Sequence, residues 1–82
     1  MFGVYILKSL KDGKFYIGQT ANIPSRLEYH LRGHVKATRN RRPLELIYNE
    51  SFETRAQAMI REKYLKSLKG GQAFKKILGL KK

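Results

Sequence analysis

The chain has 82 residues, of which 41% are hydrophobic, and its 18 lysines and arginines against 6 aspartates and glutamates give a formal net charge of +12. So short a chain has room for a single domain, residues 1–82, because it buries only about 60% of its unfolded surface. The sequence contains no cysteine, which excludes disulfides and thiolate zinc sites. The positive charge favours an anionic polymer as partner, and nucleic acid first, since basic side chains release the counterions of its phosphates.

The segment MFGVYILKSLK has no basic leader and no small-residue cleavage site, and no apolar stretch approaches the roughly 20 residues that span a bilayer. These features predict a cytoplasmic protein with no membrane partner. The charge by itself is also compatible, as a less favoured reading, with a role in solubility, or with attraction to acidic lipid or heparin-like polymers.

A β-hairpin is predicted at the start of the chain. Residues 3–9 and 15–20 are rich in β-branched and aromatic types, and Asp12-Gly13 between them is a strong turn signal. A two-residue turn there pairs residue 5 with residue 20 and residue 9 with residue 16, which puts Tyr5 and Tyr16 on one face without making them direct partners. The two tyrosines are candidates for chemistry, and aromatic packing is their alternative role.

An amphipathic helix is predicted next. Asn22 can cap it, Pro24 falls in its first turn and Gly33 marks its end. The apolar positions that recur along one face, and that we expect to be buried, are Ile23, Leu27 and Leu31.

A basic loop, a third strand and a second helix follow. Residues 34–43 are basic, lack an apolar period and predict a surface loop that ends at Pro43, and residues 44–53 begin with the alternation of a strand. Thr54 with Gln57 has the form of a capping box. The expected buried stripe of the second helix is Ala56, Met59, Ile60, Tyr64 and Leu68.

The last segment predicts a short third helix. Gly70-Gly71 interrupts the second helix, and the apolar positions after it are Phe74, Ile77, Leu78 and Leu80. The element order is then ββαβαα, an α+β fold. A three-stranded antiparallel sheet flanked by helices suits that order, because each amphipathic face needs an apolar layer against which to bury.

Three polar side chains on the predicted helices are candidates for a site. Arg26 and His30 lie four residues apart at the edge of the first helix's stripe, where they either point toward the sheet margin or are solvated. Glu62 is one of only 6 acidic residues and lies at the rim of the second stripe. Its alternative role is an i, i+4 ion pair with Lys66.

Two tripeptides, Gly3-Val4-Tyr5 and Tyr16-Ile17-Gly18, are separated by ten residues and are followed by Arg26, His30 and Glu62. This combination resembles the GIY-YIG nuclease family over nearly the whole chain, and is most similar to its short stand-alone bacterial members. Relatives in that family include homing endonucleases, some restriction enzymes and the N-terminal nuclease of bacterial nucleotide excision repair. The resemblance implies a GIY-YIG endonuclease-like fold and a DNA substrate, with a role in DNA repair or recombination.

The resemblance also implies a role for each matching residue. Tyr5 and Tyr16 would position a water molecule, with Tyr5 either taking its proton as general base or only orienting it. A phenol with an ordinary pKa of about 10 needs neighbouring positive charge to act as the base. Arg26 would offset charge on the phosphoryl oxygens, and His30 would bind the same phosphate or relay a proton. Glu62 would hold one Mg²⁺ or Mn²⁺ ion.

The expected DNA contacts come from the resemblance and the charge together. Gly18 would keep the backbone open for close approach. Gln19 stands where the repair nuclease has a lysine, so a phosphate contact there is either missing or supplied by Lys14. No asparagine follows Glu62, in contrast to many members, which weakens the expectation on the substrate side. The backbone contacts expected in the basic loop are Lys36, Arg39, Arg41 and Arg42.

We therefore expect an endonuclease that hydrolyses DNA phosphodiester bonds, in branched or other structured substrates, to 5′-phosphate and 3′-hydroxyl ends. Base specificity is expected to be low, and a protein partner could supply it. The alternative is a nucleic-acid-binding module of the same fold that has lost useful catalysis. A membrane- or ribosome-associated structural protein would rest on charge alone.

Overall fold

The computed structural model describes residues 1–68 and 71–79. Within them the order ββαβαα and the α+β class are confirmed. Gly70 and Leu80, which belong to the predicted helix break and third helix, lie outside the described residues. The strands are β1 (Phe2–Ser9), β2 (Phe15–Thr20) and β3 (Leu44–Phe52), and the helices are α1 (Ile23–Leu31), α2 (Arg55–Ser67) and α3 (Gln72–Ile77).

The described strands form an antiparallel sheet in the order β2-β1-β3, so that β1 is central. Alternation along β1 supplies two apolar clusters, one on each face of the sheet. Val4 and Ile6 pack with the buried side chains of α2 and α3. Tyr5 and Leu7 belong to the second cluster, against which α1 packs. The central strand therefore carries the candidate tyrosine on its α1 side.

The register of the hairpin differs from the prediction. Tyr5 pairs with Gly18, and Leu7 pairs with Tyr16, two residues away from the expected pairing. The predicted two-residue turn is wrong because the loop is longer: the Ser9 amide bonds to the Lys14 carbonyl at 2.8 Å. The Ser9 hydroxyl accepts two amides inside this loop, and Gly13 closes it with a φ of 74°. With this register, Tyr16 lies on the same face of the sheet as Tyr5 and pairs with Leu7, two residues further along β1.

Helix α1 begins as predicted, but its buried face is different. The Asn22 side chain accepts from an amide in the first turn, and Pro24 lies in that turn. Leu31, expected to be buried, is 49% exposed, whereas His30 is fully buried. The stripe therefore runs from Leu27 to His30, a spacing that a helix allows equally well. A polar side chain is tolerated there because both of its ring nitrogens have partners.

The basic loop is an ordered part of the fold. It contains one turn of 3-10 helix, Arg39–Arg41, directly before the strand β3. The Ser9 hydroxyl donates to the carbonyl of Arg41 at 2.6 Å, which ties this turn to the hairpin loop. Thr38 is fully buried beside α1. These contacts hold the loop against the face of the sheet that carries Tyr5.

Helix α2 has the predicted capping box but buries a different stripe. Thr54 and Gln57 cap each other's backbone amides as expected. The buried residues of α2 are Ala58 and Leu65, which join the cluster of β1. The predicted stripe is wrong, since Leu68 alone among its members is partly buried. The exposed members of that stripe are Ala56, Met59, Ile60 and Tyr64.

The buried stripe of α2 differs from the prediction because of the composition of the face that packs on the sheet. Arg61 and Glu62 are both partly buried on that side, and they lower its apolar content below that of the outer face. Arg61 is held by Glu50 of β3 at 3.0 Å. Ala58 is small, so the helix can approach the sheet closely at its first turns. A search for the most apolar stripe therefore selects the solvent side of α2.

Helix α3 closes the first cluster through Phe74, which is buried and meets the Phe15 ring at 5.1 Å between centroids. Ile77 and Leu78 are partly buried against the same cluster. In the part of the chain that the structure describes, no helix combines the length and apolarity needed to cross a membrane.

Candidate active site

The Tyr5 hydroxyl lies at the centre of a group of polar side chains from three elements. Tyr5 is only 2% exposed, and its Oη lies 2.9 Å from Nε2 of His30. Arg26, one turn earlier on α1, donates from Nε to the same oxygen at 3.4 Å. The structure therefore brings together a strand tyrosine and two helix residues that the sequence singled out.

The ring of Tyr16 completes an aromatic group around this hydroxyl. Its centroid lies 6.3 Å from that of Tyr5 and 5.0 Å from that of His30, and the latter pair is nearly edge-on. Tyr16 itself is partly buried. The shifted hairpin register places the two tyrosines within contact range.

Gly18 provides the space that the Tyr5 ring occupies. A Cβ at this position would lie 2.5 Å from Tyr5 Oη and 2.7 Å from Cζ, closer than such atoms approach in folded proteins. Gly18 is itself buried. The space beside this glycine is thus occupied by a tyrosine of the same chain, and its role in the approach of DNA stays a prediction.

Thr38 belongs to this group, although no sequence pattern singled it out. Its hydroxyl lies 2.7 Å from Nδ1 of His30, and both side chains are fully buried. It sits in a basic loop without apolar periodicity, so the burial of His30 is the one signal that points to it. A buried imidazole needs a partner at each nitrogen, and the loop that follows the helix is the nearest source of one.

The proton positions along this chain of groups are assigned from the hydrogen bonds and the neutral state of His30. Tyr5 Oη accepts from Arg26, and we assign its own proton to the bond with His30 Nε2, which is then unprotonated. The remaining proton of the imidazole is on Nδ1 and is donated to Thr38. Burial and the nearby Arg26 charge lower the pKa of His30 to about 4, which agrees with a neutral ring.

The Tyr5 hydroxyl is a neutral phenol in this environment. Burial raises its pKa above the ordinary value, and the hydrogen bond from Arg26 opposes that rise only in part. The same hydrogen bond raises the pKa of Arg26, which remains a cation. Tyr5 therefore lacks the stable phenolate that a simple general base would need.

Glu62 is an acidic residue whose charge acts on Tyr5. Its side chain is 19% exposed, and its field contributes, after burial, to the raised pKa of Tyr5. Oε2 holds the ammonium of Lys66 at 2.9 Å, so the ion pair considered for these residues is present. This carboxylate is thus already placed to bind a cation at the margin of the site.

The described residues contain no cluster of three or more acidic or histidine side chains that could enclose a metal ion. A single carboxylate nevertheless fits Mg²⁺ or Mn²⁺, because these hard ions take oxygen ligands and keep several from water or phosphate. The fit rests on Glu62, whose side chain is partly exposed and whose Oε2 already binds the ammonium of Lys66.

The profile of the GIY-YIG catalytic domain matches residues 1–76. The chain belongs to the GIY-YIG family. It is 40% identical to a UPF0213 protein of Staphylococcus haemolyticus over 90% of both chains. It is 44% identical to a UPF0213 protein of Clostridium perfringens over 84% of this chain and 74% of the relative, and 42% identical to one of Staphylococcus aureus over 78% of each. No solved structure matches the chain significantly.

The family resemblance predicted from the two tripeptides is therefore confirmed. A GIY-YIG domain is a nuclease-type domain that acts on DNA, and nucleases of this family generally use divalent metal ions. The tripeptides lie on the neighbouring strands β1 and β2 and overlap at one pair, Tyr5 with Gly18.

Two arginines of the basic loop have partners within the GIY-YIG domain. Arg41 lies 3.4 Å from a carboxylate oxygen of Asp12. Arg42 donates to the carbonyl of Arg39 at 3.0 Å and to that of Leu31, the last residue of α1, at 3.4 Å. These guanidinium groups stabilise the loop and the end of the helix, which reduces what they can offer to a phosphate.

The other basic residues expected to contact DNA are Lys14, Lys36 and Arg39, and all three are exposed. Their side chains make no hydrogen bond or ion pair with another residue among positions 1–68 and 71–79. Their ammonium and guanidinium groups are therefore free of protein partners in that range. Their role as phosphate contacts stays a prediction.

The buried imidazole of this GIY-YIG domain predicts a pH-dependent stability. The pKa of His30 falls from 6.5 in the unfolded chain to about 4 in the folded protein, so the unfolded chain binds the proton more readily. The free energy of unfolding is expected to rise with pH between these values, by about 3 kcal/mol in all, and to be lost again as pH falls. Urea unfolding of the wild type across this range measures the rise.

The two histidines provide the control for that measurement. His34 is exposed, so His34→Gln should keep the pH dependence. His30→Gln should remove most of it, because glutamine does not titrate. A rise that survives in His30→Gln would assign it to another group and contradict the proton arrangement described for Tyr5 and Thr38.

Proposed function

We propose that this GIY-YIG protein is a metal-dependent endonuclease that hydrolyses DNA phosphodiester bonds to 5′-phosphate and 3′-hydroxyl ends. The observation that supports this most directly is the Tyr5 hydroxyl, held between Arg26 Nε at 3.4 Å and His30 Nε2 at 2.9 Å. A buried phenol that contacts both a cation and an unprotonated imidazole is suited to proton transfer beside an anionic substrate. Membership of the family supplies the substrate class.

Proton transfer through Tyr5 and His30 avoids a free phenolate. As a water molecule attacks the phosphate and the P–O3′ bond breaks, the water proton passes to Tyr5 Oη while the phenol proton passes to His30 Nε2, and the departing 3′ oxygen takes a proton from solvent. The imidazole becomes a cation that still donates from Nδ1 to Thr38. The pKa of His30 is low in the free protein, and a bound anionic phosphate would favour the protonated ring. Tyr16, whose ring packs beside both groups, would orient the attacking water.

Arg26 would bind the phosphate with the donors that Tyr5 does not use. The contact to Tyr5 occupies its Nε, which leaves the two terminal nitrogens of the guanidinium for phosphoryl oxygens. Those oxygens gain negative charge as the bond to water forms, so a fixed cation there stabilises the transition state more than the ground state. Arg26 thereby links the proton path to the phosphate.

Glu62 would hold the Mg²⁺ or Mn²⁺ ion, in exchange for its ion pair with Lys66. When bound, the divalent ion supplies positive charge to oxygens of the reacting phosphate. The carboxylate comes from α2, whereas the proton path comes from β1 and α1. The substrate would thus lie between these elements.

The proposal is tested with labelled duplex, single-stranded and branched DNA in Mg²⁺, Mn²⁺ or EDTA. Wild-type protein should cut in the presence of metal, and Glu62→Gln should lower the single-turnover rate by about 100-fold or more while DNA binding persists. Glu28→Gln is the matched control, because Glu28 forms an i, i+4 ion pair with Arg32 away from the site. It should cut at the wild-type rate.

Cleavage that persists in EDTA, or in Glu62→Gln, would contradict the metal assignment. Binding without cleavage on every substrate would instead indicate a nucleic-acid-binding module of the same fold.

A further inference from the structure

A cavity of about 600 Å³ lies between the hairpin, α2 and α3. Its size falls within the roughly 300–1,000 Å³ of ordinary ligand sites. Its walls include three lysines from three different elements, namely Lys14 of the hairpin, Lys66 of α2 and Lys75 of α3. We call it the lysine cavity.

The charged side chains that line the lysine cavity are all positive. No aspartate or glutamate is among the residues that line it. Lys14 and Lys75 form no ion pair with other residues in the described ranges 1–68 and 71–79, and Lys66 is paired with Glu62. Three ammonium groups around one concave surface favour an anion and exclude a cation.

The lysine cavity lies on the face of the sheet that packs against α2 and α3, opposite the face that carries Tyr5, and the two regions meet at the edge strand β2. Tyr16 forms part of its wall and also packs against His30. Lys66 reaches from the cavity to the carboxylate of Glu62 at 2.9 Å. A DNA strand whose phosphate lies between Arg26 and Glu62 can reach this cavity around the edge strand β2, where Tyr16 belongs to both regions.

We propose that the lysine cavity binds the nucleotide next to the scissile phosphate, with its phosphate held by Lys14 and Lys75. The proposal rests on the proposed function, since it assumes a DNA substrate at Tyr5. Lys66, which Glu62 holds at 2.9 Å, would be a third donor to this phosphate when Glu62 binds a divalent ion instead. The partly buried ring of Phe15 in the same wall offers an apolar surface to the sugar or base.

The test compares two neighbouring lysines of α3. Lys75 lines the cavity, whereas Lys76 is equally exposed, carries the same charge and does not line it. Binding of a fluorescent single-stranded oligonucleotide is followed by anisotropy in EDTA over a range of salt concentrations. Lys75→Ala and Lys14→Ala should each reduce the slope of log affinity against log salt by about 0.7, equivalent to about fivefold at 0.1 M salt. Lys76→Ala should change the slope by much less.

Equal losses in Lys75→Ala and Lys76→Ala would overturn the lysine cavity as a binding site, and so would the absence of DNA binding. Because the experiment contains EDTA, it does not depend on cleavage. Metal-dependent cutting together with equal losses would refute the cavity and leave the nuclease intact. A loss confined to the cavity lysines in a protein that never cuts would support the cavity and refute the nuclease.

Discussion

Replacing Tyr5 by phenylalanine is expected to lower the rate of DNA cleavage by about 10²- to 10⁴-fold, the usual contribution of a positioned proton-transfer group. The ring can still fill the space over Gly18, but the oxygen that contacts Arg26 and His30 is lost. Proton transfer from water to the imidazole is thereby interrupted. Single-turnover cleavage at saturating DNA and metal measures the effect.

Tyr29→Phe is the matched control, because Tyr29 is 56% exposed on α1 and its ring packs beside His34. It should cut at the wild-type rate. Tyr5→Phe also leaves the Nε2 of His30 without its donor, which should reduce the free energy of unfolding by about 1–3 kcal/mol. Urea unfolding therefore accompanies the kinetics, and a folded Tyr5→Phe protein with near wild-type activity would contradict the proposed proton path.

Replacing Arg26 by lysine is expected to slow cleavage by about 10²- to 10³-fold even though the charge is kept. A single ammonium cannot donate to Tyr5 at 3.4 Å and also present a planar pair of donors to phosphoryl oxygens. Affinity for DNA should change little, because it follows mainly from charge. The measurement combines single-turnover rates with binding in EDTA.

Arg32→Lys serves as the comparison for Arg26→Lys. Arg32 lies at the end of the same helix, and its guanidinium pairs with Glu28 at the surface. It should retain the wild-type rate. Equal losses in the two variants would assign the effect to general electrostatics of α1, and full activity in Arg26→Lys would show that the fork of donors is not needed.

The element order could be predicted from the sequence because its signals are local. A side chain that caps a helix acts within three residues, so Asn22 and the pair Thr54 and Gln57 marked the helix starts correctly. The hairpin was recognised by the same kind of signal. Its register was not, because the Ser9 hydroxyl organises a longer loop than Asp12-Gly13 alone suggests.

Burial could not be predicted where polar groups lie in the interior. The choice between Leu31 and His30 depends on partners supplied by Tyr5 and Thr38, which are distant in sequence. On α2 the face toward the sheet carries Glu62, so the more apolar stripe faces solvent. Hydrophobic periodicity predicts the buried face of a helix from composition alone, whereas the face that is actually buried depends on all the contacts that the helix makes in the fold.

The grouping of the candidate site was accessible only through the family resemblance. Periodicity placed Arg26 and His30 on one helix face, but the predicted register left Tyr5 and Tyr16 four residues apart along the strands. The observed register brings their rings to 6.3 Å. Their catalytic roles remain proposals, which the cleavage assays on Tyr5→Phe and Arg26→Lys address.

The Tyr5 ring and Gly18 share one space, so these two positions cannot change independently during evolution. A side chain at position 18 would be accommodated only in a lineage that had already lost the aromatic ring at position 5, and with it the hydroxyl. The reverse order would leave the core overpacked. The two tripeptides therefore depend on each other, and a relative that kept only one of them would lack the packing of the Tyr5 ring on Gly18.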